Sequence, residues 1–373
     1  MAAVERGPRA RPGHLRLADL ARALGVSRTT VSNAFSRPDQ LSAALRNRIL
    51  QAAHEIGYAG PDPVARMLRT GRAGTLGLIL PESLPFTLDD APASAIVRGI
   101  ADACEERRLG LLIVAGAMQS SDPRAISDVA VDGFVLYSLP RTAPALAPLL
   151  ARGAPLVVVD QPSLPGVPCV AIDDALGARE AARHLLDLGH RRIGVVSLPF
   201  HPDGYLGPAD AERRSSSAFD VTARRLAGYG AALTAAGLDE AALPVFECPH
   251  SDEELGRRAG RHLLALSPAP TAILAMTDRL AFGVLAAARE LHVDVPARLS
   301  VVGFDDVDAA ARSRPALTTV RQPLRLKGYA AARLLLDAPG AEEPPARAEG
   351  AVEPAAVDLP VELVTRRSTA QRG

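Results

Sequence analysis

The 373-residue chain has no tryptophan, and aromatic residues make up 3% of it. Few rings are available to stack on a ligand; Phe86, Phe200, Tyr205 and Phe219 are the candidates. The three cysteines, Cys104, Cys169 and Cys248, are scattered and odd in number. That argues against a disulfide-stapled fold and suits buried, reduced thiols in a cytoplasmic protein. No apolar run approaches the ~18 residues of a membrane span. The first residues are rich in Arg and Pro without an apolar core, so no secretion signal is expected. There is no P-loop, no Gly-x-Ser-x-Gly and no His-Glu-x-x-His, so no catalytic residue and no cofactor are expected. His184 and His190 do not share a helix face, and no metal site is assigned to them.

What is present is divided unevenly. Lys plus Arg and Asp plus Glu number 42 each, a formal balance of zero. Residues 1–72 hold 12 Arg against 5 acids, leaving 30 basic and 37 acidic residues for the rest. A head of +7 sits on a body of −7, which gives only the head the charge for a polyanionic partner.

The head has helical periodicity. Leu17, Leu20, Ala21 and Leu24 form one apolar face, and Gly25 stops the helix. Ser27 stands where an N-cap belongs, and Val31, Ala34 and Phe35 make the next inner face. Arg28, Thr29, Ser32 and Asn33 fall on the opposite face, with side chains suited to base edges and phosphates. The pair is a helix-turn-helix with Ser27–Phe35 as recognition helix; a small bundle with a polar outer face is the alternative. A third helix is expected from Ser42, with Leu45, Ile49, Ala52, Ala53 and Ile56 inward and Gly57 at its end.

Residues 61–73 follow as a short hinge. Asp62 and Pro63 suit a helix start, but only two turns fit before Gly71. Isolated helices below about 12 residues are marginal in water, so this one is expected to order on docking. Leu68 flanked by Arg66 and Arg69 is the pattern of a minor-groove wedge, an ordinary linker being the alternative.

Residues 74–373 alternate aliphatic runs with amphipathic stretches. Strands are expected at Thr75–Leu80, Leu111–Ala115, Gly133–Tyr137, Leu156–Asp160, Ile193–Val196, Ala272–Ala275 and Ser300–Phe304, with helices such as Ala178–Leu188, Arg224–Ala236 and Arg279–Leu291. This is an α/β body with buried parallel sheets, long enough for two cores. Ligands of such sheets bind beyond the strands' carboxyl ends. That points to Pro81–Asp90, Asp160-Gln161, the stretch after Val196, Thr277-Asp278 and Asp305-Asp306. Asp278, at a helix start, reads as a cap. The Pro-, Gly- and Ser-rich segment 199–222 is a lid or a disordered loop, and Ala338–Leu359 a solvated insertion.

Several motifs, in order, resemble the lactose/galactose-repressor family of bacterial transcription regulators. They are LADLARALGVSRTTVS, EIGY and PDPVARMLRTG in the head, and DLGHRRIGVV, RLAGYGAAL, PTAILAMTDRLAFGVL, LSVVGFDD, PALTTVRQP and LPVELVTR in the body, spanning roughly Leu17 to Thr369. The resemblance implies a helix-turn-helix head at 15–60, a hinge at 61–73 and a periplasmic-binding-protein-like body. The first body subdomain would comprise 74–172 plus about 320–350, the second 173–319 plus about 351–373, with three crossings and a cleft between them. It implies Arg28 and Thr29 as base readers, Leu68 as the intercalating residue, and Asp160, Arg225, Ser251, Thr277 and Asp305 as effector contacts. Asn33 stands where relatives usually have arginine, and Thr277 where many have asparagine. The expected function is a cytoplasmic, nucleoid-associated homodimer that binds a pseudo-palindromic duplex and answers to a carbohydrate, as a repressor. A ligand-independent DNA-binding protein and a corepressor-activated regulator of non-sugar metabolism are the alternatives.

Overall fold

A computed structural model describes residues 17–58, 60, 67–68, 70–118, 126, 128–337 and 356–372. They belong to two compact units, 1–73 and 74–373.

In the first unit, helices α1 (Leu17–Leu24), α2 (Arg28–Ser36) and α3 (Ala43–Glu55) enclose a small core of Leu20, Ala21, Val31, Ala34, Ile49 and Ala53. Gly25 takes φ 65°, and Val26 N–H closes the turn on Ala21 C=O. Ser27 and Ser42 cap α2 and α3, accepting from Thr30 N and Leu45 N. Phe35 meets Tyr58 edge to face, 5.7 Å between centroids. Ile56, expected inward, lies beyond α3 and is 36% exposed. Gly57, at φ 71°, turns the chain there. Of the hinge, Met67, Leu68 and Thr70 are helical; Pro61–Arg66 and Arg69 lie outside the described residues.

The second unit has two lobes. The first contains the sheet β12-β5-β4-β3-β1-β2, all parallel: β1 Thr75–Ile79, β2 Gly110–Val114, β3 Gly133–Tyr137, β4 Leu156–Val159, β5 Cys169–Ile172 and β12 Ala356–Leu359. Helices α4 (Leu84–Asp89), α5 (Ala91–Glu106), α6 (Leu146–Arg152) and α13 (Leu324–Leu336) accompany it. The second contains β13-β11-β10-β9-β6-β8-β7: β6 Ile193–Ser197, β7 Gly207–Pro208, β8 Val245–Glu247, β9 Ala272–Ala275, β10 Ser300–Asp305, β11 Thr318–Arg321 and β13 Glu362–Val364. Only its edge strands, β7 and β13, pair antiparallel. Its helices are α7 (Asp174–Asp187), α8 (Ala211–Ser215), α9 (Asp220–Ala235), α10 (Glu253–Leu264), α11 (Asp278–Glu290) and α12 (Asp308–Arg312).

The central strands are buried on both faces, the aliphatic pattern that parallel sheets require. The α5–α13 contact needs glycine on both helices. A Cβ at Gly99 would fall 1.9 Å from Arg325 O, and one at Gly328 would fall 2.1 Å from Ile96 O.

The chain passes between lobes three times: from β5 into α7, from β11 into α13, and from β12 into β13. The third passage corrects the sequence reading. Residues 356–359, expected in an insertion and assigned to the second lobe, extend the first lobe's sheet beside β5, so the crossing falls at Pro360-Val361 rather than near 350. A four-residue edge strand with alternating exposure carries too little apolar signal to stand out beside an Ala/Pro/Glu-rich stretch. Residues 338–355 lie outside the described residues.

Segment 199–222 folds against the second sheet. Arg213 binds the buried carboxylate of Glu247 and, at 2.8 Å, Asp203, with its guanidinium over Tyr205. Phe200 is fully buried, and Phe200 N donates to Glu247 at 2.8 Å. Phe200 and Tyr205 therefore leave the set of candidate ligand platforms. Cys104 and Cys248 are buried, but Cys169 is only partly so. No helix among the described residues is long and apolar enough to cross a membrane.

Candidate functional site

Two sets of residues stand out, one in each unit. On the head, α2 turns Val31 and Ala34 inward, which leaves Arg28 and Thr29 exposed and Ser32 and Asn33 half-buried on its outer side. Asn33 donates to Gln40 Oε1 at 3.0 Å, so its amide is already oriented by the turn that follows α2. Leu68 is 78% exposed, unusual for a large apolar side chain that helps a fold. Arg66 lies outside the described residues.

In the body, the carboxyl ends of β1, β3, β4, β6, β9 and β10 converge on one cleft of about 160 Å³. Asp160, Arg225, Ser251, Thr277 and Asp305, drawn from five segments, all line it, as do Phe86 and Phe219. The backbone there is held in uncommon conformations: Ser138, Asp160 and Asp305 have φ of 51°, 68° and 119°. Such residues cost on the order of 1–3 kcal/mol and persist only where their surroundings fix them.

A chain of buried polar contacts provides that fixing. Arg225 comes from the first turns of α9 and is 4% exposed. Its Nε donates to Asp174 at 2.8 Å, a second nitrogen donates to Met276 C=O, and its guanidinium lies 3.6 Å from the Phe304 ring centre. Asp305 stands 3.9 Å from Arg225 and accepts from Gln322 Nε2 at 2.6 Å. Gln322 Oε1 in turn accepts from Lys327, whose Nζ reaches Asp160 at 2.5 Å. Lys327 is the chain's only lysine and is 1% exposed. The contacts thus run from Asp160 in the first lobe, through the β11–α13 crossing, to Arg225 in the second. Burial pushes the Asp305 carboxyl well above the usual range, against the pull of Arg225 and helped by Asp278. Burial and the charges of Asp160, Asp90 and Asp305 also push the Tyr137 hydroxyl up.

Thr277 caps α11, accepting from Leu280 N at 3.2 Å, and its hydroxyl bonds Ser251 Oγ at 2.8 Å. The cap expected of Asp278 therefore belongs to Thr277. Asp278 is fully buried instead, accepting from Thr319 Oγ1 at 2.5 Å and Val307 N at 2.9 Å, with its pKa pushed up to about 7 by burial.

The lobes touch on both sides of the cleft. On one, Arg141 reaches Asp220 at 2.9 Å and Ser217 C=O at 2.8 Å, while Gln161 accepts from Val221 N at 2.7 Å. On the other, Phe86 meets His250 edge to face at 5.3 Å and Asp90 faces Arg279 at 3.8 Å.

Sequence reasoning placed Asp90 in a cleft loop without singling it out, and missed Tyr137, Asp174, Gln322 and Lys327. Lys327 had a usable signal, as a lone lysine among arginines. Asp90 had none, because an aspartate before a helix reads as a cap, which one of its oxygens is.

Residues 16–60 match the model of bacterial regulatory proteins of the lacI family, and residues 182–369 match that of a periplasmic binding protein-like domain. An HTH-type transcriptional regulator of Mycobacterium tuberculosis is 45% identical over 87% of this chain and 90% of its own length. Among solved structures, a CelR–cellobiose complex is 29% identical with a TM-score of 0.68, covering 95% of this chain and 99% of that one. A lac repressor dimer bound to operator and an anti-inducer is 25% identical with a TM-score of 0.74, over 96% and 100%.

Proposed function

Because the chain belongs to the lacI family of bacterial regulatory proteins, we propose that it is a repressor whose grip on operator DNA is set by a small carbohydrate held between the two lobes. A DNA-binding transcriptional regulator, and not an enzyme, is what the family match and the relatives make it. The repressor role, the carbohydrate and the residue assignments are our reading.

The observation that carries the effector reading is the convergence of five segments on one cleft, with acceptors and hydroxyls spread over its walls. A polyhydroxylated molecule pairs with such groups in both directions, since carboxylates accept, Arg donates, and Ser and Thr do both. The related CelR holds cellobiose. On the head, Arg28, Thr29, Ser32 and Asn33 would read base edges in the major groove, with Arg66 and Leu68 entering the minor groove. A two-fold homodimer presents two such heads to a pseudo-palindromic site, as the lac repressor dimer does to its operator. The protein would act in the cytoplasm.

Control follows from linkage. A ligand favours one lobe arrangement by its differential affinity, typically ~1–3 kcal/mol of coupling, and DNA favours one arrangement of the hinges. Carbohydrate binding would stabilise the arrangement that loosens the hinges, withdrawing Leu68.

Asp305→Asn tests the effector reading, because it keeps the side chain's shape and replaces one carboxyl oxygen by an amide donor. Operator affinity measured by fluorescence anisotropy should stay within about twofold while the response to carbohydrate is lost. A response equal to that of the parent would refute the assignment.

A further inference from the structure

The charges around the cleft narrow the ligand further than the residue types do. Glu82, Asp90, Asp160 and Asp305 line it, against one guanidinium, Arg225. That guanidinium is occupied by Asp174 and Met276 C=O, and the nearby ammonium of Lys327 by Asp160 and Gln322. Neither cation is left to receive an anion.

Asp90 supplies the second observation. It is 8% exposed, and its Oδ2 is used in capping α5, accepting from Ala93 N at 3.1 Å. Its Oδ1 is buried and has no hydrogen-bond partner. Beside it, on the second lobe and outside the lining just named, stands Arg279, whose NH2 reaches Asp252 at 3.5 Å and whose NH1 is likewise buried and without a hydrogen bond. The two atoms are 3.8 Å apart, beyond direct hydrogen-bonding distance. Each unmet buried polar group destabilises the empty cleft.

A hydroxyl is the simple group that meets both needs, since it donates to a carboxylate and accepts from a guanidinium. An ammonium would satisfy Asp90 alone. A phosphate or carboxylate would satisfy Arg279 alone and face the acid-rich walls. We infer that the effector is an uncharged polyol whose hydroxyl is shared between Asp90 and Arg279, and that the cleft rejects the phosphorylated form of the same molecule. This rests on the effector reading above and adds two contacts and a charge class to it. Because the two residues belong to different lobes, the shared hydroxyl would also hold the lobes together.

The lone lysine provides the probe. Selective 15N-lysine labelling gives one backbone amide signal, that of Lys327, whose side chain pairs with Asp160. This signal and the melting temperature are followed while neutral pentoses, hexoses, disaccharides and alditols are titrated in. Their phosphate esters and amino sugars are titrated alongside, including ribose with ribose 5-phosphate and glucose with glucose 6-phosphate and glucosamine. A neutral compound should move both readouts and bind at least about tenfold more tightly than its phosphate. Asp90→Asn and Arg279→Gln should each weaken that compound by about tenfold or more, while Arg257→Gln, on α10 and outside the cleft lining, should not. A phosphate ester that binds as tightly as its parent overturns the inference and leaves effector control standing; the wild-type comparison decides this without any variant. Full affinity in Asp90→Asn also overturns it. If no compound of any class moves either readout, this inference and the effector reading fall together.

Discussion

The head and the body place their candidate functional residues in opposite ways. On the head, Arg28, Thr29 and Leu68 are exposed, and the small core beneath is built from other residues. In the body, Arg225 and Asp305 are buried and tied through Gln322 and Lys327 to Asp160 in the other lobe. A surface that reads DNA has its partner's charge to meet and works best unencumbered. A cleft that must sense a small neutral molecule has to pre-orient its polar groups, and most of those groups need protein partners to be held in place. Head substitutions should therefore alter binding with little effect on folding, whereas cleft substitutions should alter both and fail to add.

The largest effect is expected at Arg225. Arg225→Met removes the buried guanidinium closest to Asp174, leaving that acid only the half-exposed Arg224 at 3.3 Å, and should cost the body about 3–5 kcal/mol in denaturant unfolding. A loss below about 1 kcal/mol would mean that the contact chain is loosely held and would erase the contrast with the head. Next, Lys327→Met should cost about 3 kcal/mol, but the double variant with Asp160→Asn should recover much of it, because the stranded charge is removed as well. Strict additivity in that cycle would separate the two residues. Leu68→Ala should leave the melting temperature within the small range usual for surface positions, yet weaken specific operator binding by about tenfold or more. Equal losses on operator and random DNA would assign Leu68 to general adhesion. The smallest effect concerns pH. Asp278 binds a proton more readily folded, at about 7, than unfolded, near 3.8. Between those values the native state holds more protons, so its contribution to stability is present at low pH and lost as pH rises toward about 7. Asp278→Asn should flatten the pH dependence over that window, and an unchanged slope would show that the buried acid is compensated in another way.

The same contrast explains what the sequence made legible. Head helices announce themselves by period and cap, and Ser27 and Ser42 cap where expected. Six central strands stood out because burial on both faces makes them continuously aliphatic, and the edge strand β2 stood out by its aliphatic run alone. The strands missed were β5, β7, β8 and β11–β13, short or at sheet edges, where the apolar signal thins out. Cleft residues at strand ends were legible by position and resemblance. Their partners were not, because Asp174, Gln322 and Lys327 come from two of the three crossings, and nothing local in the chain says that a glutamine after β11 will join carboxylates from two lobes.

The central claim is that a neutral metabolite bound in the body decides whether the head stays on DNA. Genomic footprinting of the purified protein supplies the duplex, and fluorescence anisotropy on that duplex, with random DNA as competitor and neutral carbohydrates added in turn, tests the claim directly. The account predicts a pseudo-palindromic site preferred over random sequence and released, at constant salt, by at least one uncharged polyol. Binding with no preference for the palindrome, or an affinity that no such compound shifts, would contradict it.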